Sequence, residues 1–219
     1  MDNGSFYDSD YYENGIESGK SLYSNYCWRK TETTTLMRNL SDHLNIKKGM
    51  KILDYGCAKG YLVYSFVQNG IDAYGVDISE YATSKCFDDV ANNIRCIKTI
   101  SDLPKNWGTF DCVIAKDVFE HVNAATLTEI LGELAMRTKK IFVVVPLGDG
   151  EKYIDPDQEL DQSHILKEPL GWWKKMMIST NWIIEEAVTH MPEVKPRYKD
   201  KPGSHAFITA VSSLLPQHI

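Results

Sequence analysis

From Thr31 onward, leucines recur on a polar background at Leu36, Leu40 and Leu44, and Gly49 follows as a stop. This spacing predicts an amphipathic helix of about three turns. The pattern then shortens. Lys51–Tyr55 and Ala73–Asp77 read as buried strands flanking a helix from Gly60 to Asn69, with Gly70 as its C-terminal glycine. Ser79 is placed to cap a second helix with Glu80 in its first turn. Ile94–Ile97, Phe110–Ala115 and Ile141–Val145 supply three more strands, with an amphipathic helix over Leu127–Met136 between the last two. Strands separated by helices imply an α/β fold with a doubly wound, mostly parallel sheet covered on both faces.

After Pro146 the alternation breaks. Residues 147–170 carry Gly148, Gly150, Pro156, Pro169 and many acids, and read as a long functional loop. A helix over Trp172–Thr180 and strands over Trp182–His190 and Ala206–Val211 close the chain. The segment between those strands holds Pro192, Pro196 and Pro202, which disfavours a helical crossover, so the C-terminal pair is expected to be antiparallel. Residues 1–30 differ from everything that follows. Tyr7, Tyr11, Tyr12, Tyr23, Tyr26 and Trp28 sit among Gly, Ser, Asn and Asp with no helix or strand period, so irregular chain is expected, ordered by laying its rings on something. It reads either as a lid or as a terminus docked by a few rings. The expected division is an aromatic arm, 1–30, and one domain, 31–219.

Composition narrows the partners. The chain has 219 residues, 43% hydrophobic and 25% charged, ordinary usage for a packed core. Lys plus Arg number 24 against 30 Asp plus Glu, a net charge of −6 that repels nucleic acid. The longest apolar run, Ile141–Val145, is far short of the roughly 20 residues of a membrane span. Residues 1–20 lack the basic start and apolar stretch of a signal peptide, so the expectation is a cytoplasmic protein without membrane or nucleic-acid partners. Five cysteines without a CxxC pair read as reduced thiols, not a disulfide framework or zinc knuckle.

In open parallel sheets the ligand crevice lies beyond the C-terminal strand ends. The first strand ends in Asp54-Tyr-Gly-Cys-Ala-Lys-Gly60, a glycine turn entering a helix. Gly56 admits a ligand close to the backbone and Gly60 a close helix entry, while the N–H groups there can receive a ligand carboxylate and Asp54 an ammonium. At the second strand end, Asp77 is placed to take the two hydroxyls of a ribose; taken alone it is as well read as a charge at a helix N-terminus. The two acids and the turn together favour a nucleoside site.

These runs, with Gly75-Val-Asp77-Ile-Ser79 and Asp117-Val-Phe-Glu-His121, resemble the class I S-adenosylmethionine-dependent methyltransferases, in particular their small-molecule branch. The resemblance covers about Lys51 to Val145 firmly and the final strand pair loosely. It implies a Rossmann-like fold, a donor site mainly within 51–121 and an acceptor side mainly within 146–205. It also implies S-adenosylmethionine as cofactor, with S-adenosylhomocysteine as product. The implied donor residues are Asp54, Gly56, Cys57, Gly60, Asp77, Ile78, Ile100 and Lys116, joined by Tyr23 and Tyr26 of the arm. Ala58 departs from the family's usual middle glycine by one methyl. Where many relatives carry an acid for the adenine amino group this chain has Thr99-Ile-Ser-Asp102, so the resemblance suggests the Ile100 N–H for the ring and leaves Asp102 or Thr99 for the amino group. The implied activity is O- or N-methylation of a small metabolite such as a sugar or nucleotide-sugar.

An activated methyl donor leaves the protein mainly the task of alignment, with a base adding about 10²–10⁴-fold for a hydroxyl acceptor. His164, in Asp161-Gln-Ser-His164 of the long loop, is the first candidate base, with Asp161 to fix its tautomer; a solvated loop histidine is the plain alternative. His121 is the second, with pocket lining as its alternative. Cys57 reads as packing rather than as a nucleophile. Asp155, Asp157, Glu159 and Asp161 read as solvent-facing, so no metal is assigned. The basic run Lys195-Pro-Arg197-Tyr-Lys199-Asp-Lys201 is either a solubilising connector or a holder for a phosphorylated acceptor. Trp172 and Trp173 read as core and groove wall. Two other functions compete: a nicotinamide-dependent oxidoreductase, which the Gly56–Gly60 spacing fits poorly, and a non-catalytic subunit that binds S-adenosylmethionine, which would be expected to have lost Asp54, Gly56 or Asp77. Nucleic-acid methylation is disfavoured by the absence of an Asn/Asp-Pro-Pro-Tyr run and of a Pro-Cys nucleophile.

Overall fold

A computed structural model describes residues 3–216; Met1, Asp2 and residues 217–219, the outermost parts of the expected arm and domain, lie outside the described residues. The chain forms two compact units, residues 1–105 with 160–163, and residues 106–159 with 164–219.

In the first unit, β1 (Lys51–Tyr55), β2 (Asp72–Asp77) and β3 (Ile94–Cys96) pair in parallel in the order β3-β2-β1. Helix α3 (Lys30–Leu44) buries Leu40 and Leu44, as the leucine spacing predicts, and completes the stripe with Met37 in place of the half-buried Leu36. It ends before Gly49, because Asn45 takes the left-handed conformation (φ 56°) and its N–H caps Ser41 and Asp42 carbonyls. Helix α4 (Tyr61–Gln68) enters through Gly60, also left-handed at φ 70°, where a Cβ would lie 2.0 Å from Ile94 Cδ1 of β3. The helix expected after Ser79 is a single turn, α5 (Glu80–Thr83), with Ser79 Oγ accepting from Ala82 N at 2.9 Å.

The amino-terminal segment corrects the expectation of irregular chain. A 3-10 turn over Asn3–Phe6 is followed by α1 (Ser9–Glu13) and α2 (Gly15–Ser18). Asp8 caps α1 through Tyr11 N at 3.1 Å. Tyr7, Tyr11 and Tyr12 then fall on one buried face, a helical spacing too short to register as a period.

In the second unit, β4 (Phe110–Lys116) pairs in parallel with β5 (Thr138–Pro146), and β5 pairs antiparallel with β7 (His205–Ser212). The edge strand β6 (Trp182–Val188) is antiparallel to β7, the expected C-terminal pair. Helix α6 (Ala124–Arg137) begins earlier than its apolar stripe because Asn123 caps it through Thr126 N. Helix α7 (Leu170–Ser179) opens two residues before Trp172 and seats Trp173 and Met177 in the core. In the long loop, Gly148 is required by close backbone crossing: a Cβ there would lie 2.3 Å from Lys167 O and 2.5 Å from Lys152 O. The seven strands among the described residues are thus mostly parallel with an antiparallel β5-β7-β6 end, a Rossmann-like α/β fold. No described helix is long and apolar enough to cross a membrane.

Candidate active site

The turn after β1 is built from left-handed residues: Gly56 at φ 83°, Ala58 at φ 48° and Gly60 at φ 70°. Only glycine adopts these angles without strain, so Ala58 is held there by its bonds. Gly56 N and Cys57 N donate to Val76 O at 2.8 and 3.0 Å, and Ala58 N donates to Asp77 Oδ2 at 2.7 Å. Asp77 Oδ1 accepts from Ser79 N at 2.8 Å. Asp77 therefore ties the glycine turn to the start of α5, and its carboxylate has one more lone-pair position than these amides and that of Ile78 occupy. Burial pushes its carboxyl up from the ordinary value, while the Ser79, Ala58 and Ile78 amides act in the opposite direction.

Asp54 is buried beside the same turn, at 6% exposure. Cys57 is buried too, and the lack of a side chain at Gly75 makes room for it: a Cβ there would lie 2.7 Å from Cys57 Sγ and 2.8 Å from Val63 Cγ2. Burial raises the Cys57 thiol well above its ordinary value, which suits packing and not nucleophilic attack. Ile100 opens a 3-10 turn over Ile100–Asp102 that Thr99 and Asp102 close as a capping box. Asp102 Oδ2 accepts from Thr99 N at 2.9 Å and Lys98 N at 3.1 Å, so this carboxylate first holds its own turn.

The arm packs on this donor region within the first unit. Tyr7, Tyr11 and Tyr12 cluster with Ala82, and Phe6, Tyr23, Tyr26, Ala58, Ile78 and Tyr81 pack against them. Tyr12 stacks on Tyr81, and Tyr26 stacks on Tyr61 at 5.5 Å between ring centroids. Lys59, from the glycine turn, is 6% exposed and donates to Glu13 Oε1 at 2.5 Å and to Tyr26 O at 2.6 Å. Tyr81 Oη donates to the same Glu13 oxygen at 2.8 Å, and Ser79 Oγ donates to Tyr7 O at 2.5 Å. Sequence reasoning missed Lys59, whose only signal was a lysine in an otherwise small-residue turn. Tyr23 and Tyr26 pack against the same tyrosine cluster as Ala58 and Ile78.

Asp161 has a partner other than the one expected. It accepts from Tyr11 Oη at 2.8 Å and from Ser163 N and Oγ at 3.0 and 2.5 Å. The tautomer role assigned to it belongs to Gln158, whose carbonyl lies 2.9 Å from His164 Nδ1. A carbonyl can only accept, so Nδ1 carries the proton, and in the neutral ring Nε2 holds the lone pair. That Nε2 lies 4.0 Å from Glu120 Oε1, with both side chains buried, at 7% and 1% exposure. The His121 and His164 rings meet edge to face at 4.7 Å, and Tyr153 touches His164 from another side at 5.5 Å. Ile165 N and Leu166 N both donate to Glu120 O, at 2.8 and 3.0 Å, fixing the long loop to the turn after β4. His121 and His164, far apart in sequence, are thus brought together with a buried acid that no candidate set included.

Lys116, expected at the donor, pairs with Asp117 at 2.6 Å, and Lys195 holds the other Asp117 oxygen at 2.7 Å. Asp117 sits at φ 58°. Burial raises its carboxyl, but the two ammonium groups win and hold it far below the usual range. Burial brings His205 down to about 3, so it is neutral near pH 7. The loop acids are also engaged. Lys201 reaches Asp155 at 2.8 Å and Asp157 at 3.2 Å, and Glu159 pairs with Lys167. Two lysines of the basic run, Lys195 and Lys201, are therefore already neutralised by acids of the same unit, the arrangement of a connector.

Comparison with known proteins agrees with this geometry. A family profile described as methyltransferase domain matches residues 28–192, well over half of the chain. A ribosomal protein L11 methyltransferase of Neisseria meningitidis serogroup B is 38% identical over 99 residues, 43% of this chain and 31% of that protein. A magnesium-protoporphyrin O-methyltransferase of Rhodobacter capsulatus is 28% identical over 123 residues, 54% of each. The chain thus spans about a third and about half of these curated relatives. Among solved structures, magnesium protoporphyrin IX methyltransferase of Synechocystis PCC 6803 with bound S-adenosylmethionine superposes with a TM-score of 0.63 at 15% identity, covering 97% of this chain and 98% of that one. A methyltransferase from Archaeoglobus fulgidus gives a TM-score of 0.64 at 16% identity, covering 82% and 94%. The match over residues 28–192, together with the fold, places this chain in the class I S-adenosylmethionine-dependent methyltransferases, the family whose cofactor is S-adenosylmethionine.

Proposed function

We propose that the protein methylates an oxygen or nitrogen of a small-molecule acceptor. The observation that carries the donor half of this reading is the left-handed turn Gly56–Gly60 tied to Asp77, with Asp54 buried beside it. Two of these residues suit the donor, Asp54 for an ammonium and Asp77 for ribose hydroxyls, whereas the Gly56, Cys57, Ala58 and Gly60 N–H groups, expected to receive the carboxylate, already donate within the protein. S-Adenosylmethionine supplies a methyl carbon on a positively charged sulfur and becomes S-adenosylhomocysteine. Gly56 keeps the approach to the turn free of a Cβ, and Ile78 and Ile100 offer apolar surface to the adenine. Tyr23 and Tyr26 belong to an arm that closes the donor region against water, with Lys59 as its fastening.

The acceptor is assigned to the second unit. His164 presents a lone pair at Nε2, the place for a proton released by a hydroxyl or ammonium, and His121 and Glu120 flank it. The relative named for O-methylation of magnesium-protoporphyrin supports an oxygen of a small molecule as the acceptor. The pairing of Lys195 and Lys201 with acids gives no support to a phosphorylated one.

Calorimetry with S-adenosylhomocysteine tests the donor half. Asp77→Ala is expected to weaken binding by about 1–3 kcal/mol, the range for lost hydrogen bonds to a charged group. Unchanged affinity in a folded Asp77→Ala protein removes the assignment. A methyl-transfer screen over hydroxylated and aminated metabolites then identifies the acceptor class.

A further inference from the structure

Glu120, His121 and His164 each offer one ligand atom, and these atoms all lie within 4.8 Å of one another. We propose that this trio is a binding site for a divalent first-row transition-metal ion. The first argument is donor chemistry. Two imidazoles and one carboxylate match zinc, cobalt, manganese and ferrous ions better than magnesium or calcium, which prefer oxygen alone. Three protein ligands also leave coordination positions for a substrate oxygen.

The second argument is construction. His164 Nδ1–H donates to Gln158 O at 2.9 Å, the outer hydrogen bond that fixes the tautomer of a metal-binding histidine and directs the other nitrogen inward. That nitrogen faces Glu120 Oε1 at 4.0 Å. Tetrahedral ligands at about 2.0–2.2 Å lie about 3.4 Å apart, so the two groups must approach by roughly half an ångström to hold an ion. The Ile165 and Leu166 amides clamp the Glu120 carbonyl, which holds the backbone on both sides of the site before any ion arrives. Small side-chain rotations then bring in His121. Lys195, whose charge acts on Glu120, opposes the ion and sets a limit on affinity.

This inference deepens the reading above. An ion here would hold the acceptor oxygen and lower its pKa, so the proton would be lost to water, and His164 Nε2 would serve as a ligand in place of the base. The binding itself does not depend on that reading. Chelator-stripped full-length protein is titrated with Co²⁺ and followed by visible absorption, and its Cu²⁺ complex is read by electron paramagnetic resonance. We expect one equivalent of Co²⁺ with a ligand-field band, and hyperfine coupling from imidazole nitrogen in the Cu²⁺ spectrum. His121→Ala and His164→Ala should each weaken Co²⁺ binding by at least about 100-fold, the upper range for lost outer-sphere partners and a lower bound for a ligand. Glu120→Gln, which keeps the side chain's volume, should weaken it at least about tenfold. Circular dichroism checks the fold of each variant, and the Cu²⁺ spectrum of the wild type needs no variant. Absence of Co²⁺ binding at millimolar concentration, no nitrogen coupling, or equal affinity in a folded His121→Ala/His164→Ala protein would overturn the site. S-Adenosylhomocysteine calorimetry on the same stripped wild type separates the two failures. Donor binding without Co²⁺ binding removes the metal alone, and the reverse removes the donor assignment.

Discussion

The two units solve the problem of burying polar chemistry in opposite ways. In the first, the acid beside the glycine turn is satisfied by backbone N–H groups, and the surface over it is made of tyrosine rings stacked on one another. In the second, unlike charges are buried against each other: Asp117 lies between Lys116 and Lys195, and Glu120 faces His164. Rings contribute area and keep their hydroxyls bonded, so most of this cover can lift without stranding a charge; the exception is its fastening, where buried Lys59 loses Glu13. A buried ion cluster has no such freedom, because removing one member leaves the others uncompensated. For the function proposed above, the contrast suits a donor region that opens and an acceptor region that holds its geometry.

The largest expected effect tests the rigid side. Asp117→Ala leaves Lys116 and Lys195 facing each other without their shared acid. Breaking a buried pair costs about 3–5 kcal/mol, and the Asp117 side chain is 24% exposed, so we expect about 3 kcal/mol less stability in urea unfolding. Lys195→Met should cost less, because Lys116 still holds Asp117 at 2.6 Å. If the two variants lose equal stability, the cluster is not organised around Asp117.

A smaller effect tests the backbone side. Ala58 stands at φ 48°, where a non-glycine residue costs roughly 1–2 kcal/mol, and glycine gives part of this back through its unfolded-state freedom. Ala58→Gly should therefore stabilise the protein by about 0.5–1 kcal/mol, raising Tm by about 1–4 °C for a chain of this size. A lower Tm would show that the Ala58 methyl packs against the arm more strongly than its backbone is strained.

How much of this was legible follows from the same contrast. The strands, the antiparallel final pair and the glycine turn rest on local patterns: runs of β-formers, and glycines where φ is positive. Gly56 and Gly60 announce their conformation by their identity, whereas Ala58, Asn45 and Asp117 adopt it without that signal. The arm was misread because Tyr7, Tyr11 and Tyr12 complete barely one turn, and the Asp8 cap was hidden among other acids and serines. The second unit's cluster was largely invisible. Glu120 meets His164, and Asp117 meets Lys195, only through strand order and loop path, which no spacing along the chain encodes. His164 stands out along the chain because a histidine in a long loop is conspicuous, whereas the contacts it makes with Gln158 O and Glu120 carry no such signal.

The smallest expected effect probes the fastening of the arm and depends on pH. Glu13 receives Lys59 at 2.5 Å and Tyr81 Oη at 2.8 Å. Burial tends to raise its carboxyl, but the Lys59 and Tyr81 hydrogen bonds and nearby ammonium charge outweigh this, so it lies below its ordinary value when the arm is docked. The sign of the linkage follows. A carboxyl held lower in the docked state stabilises docking above its undocked pKa of about 4.3, and this contribution fades as pH falls through the lowered value. Asp8, held low by Lys20 and the Tyr11 amide, acts in the same direction, so Glu13→Gln should remove only part of the effect. Because Glu13 is 28% exposed, solvent screening keeps its contribution below about 1 kcal/mol. At pH 7 the amide protection factors of residues 11–14 in Glu13→Gln should accordingly fall less than about fivefold; at pH 4 the gap between variant and wild type should narrow, and it should close only below the lowered value. S-Adenosylhomocysteine should raise protection across the arm in both proteins, since the ring contacts with Ala58, Ile78 and Tyr81 do not need Glu13. A drop of the same size at both pH values would mean that Glu13 works by shape and not by charge. Protection unchanged by the ligand would mean that the arm is a fixed wall of the first unit and does not close on the donor.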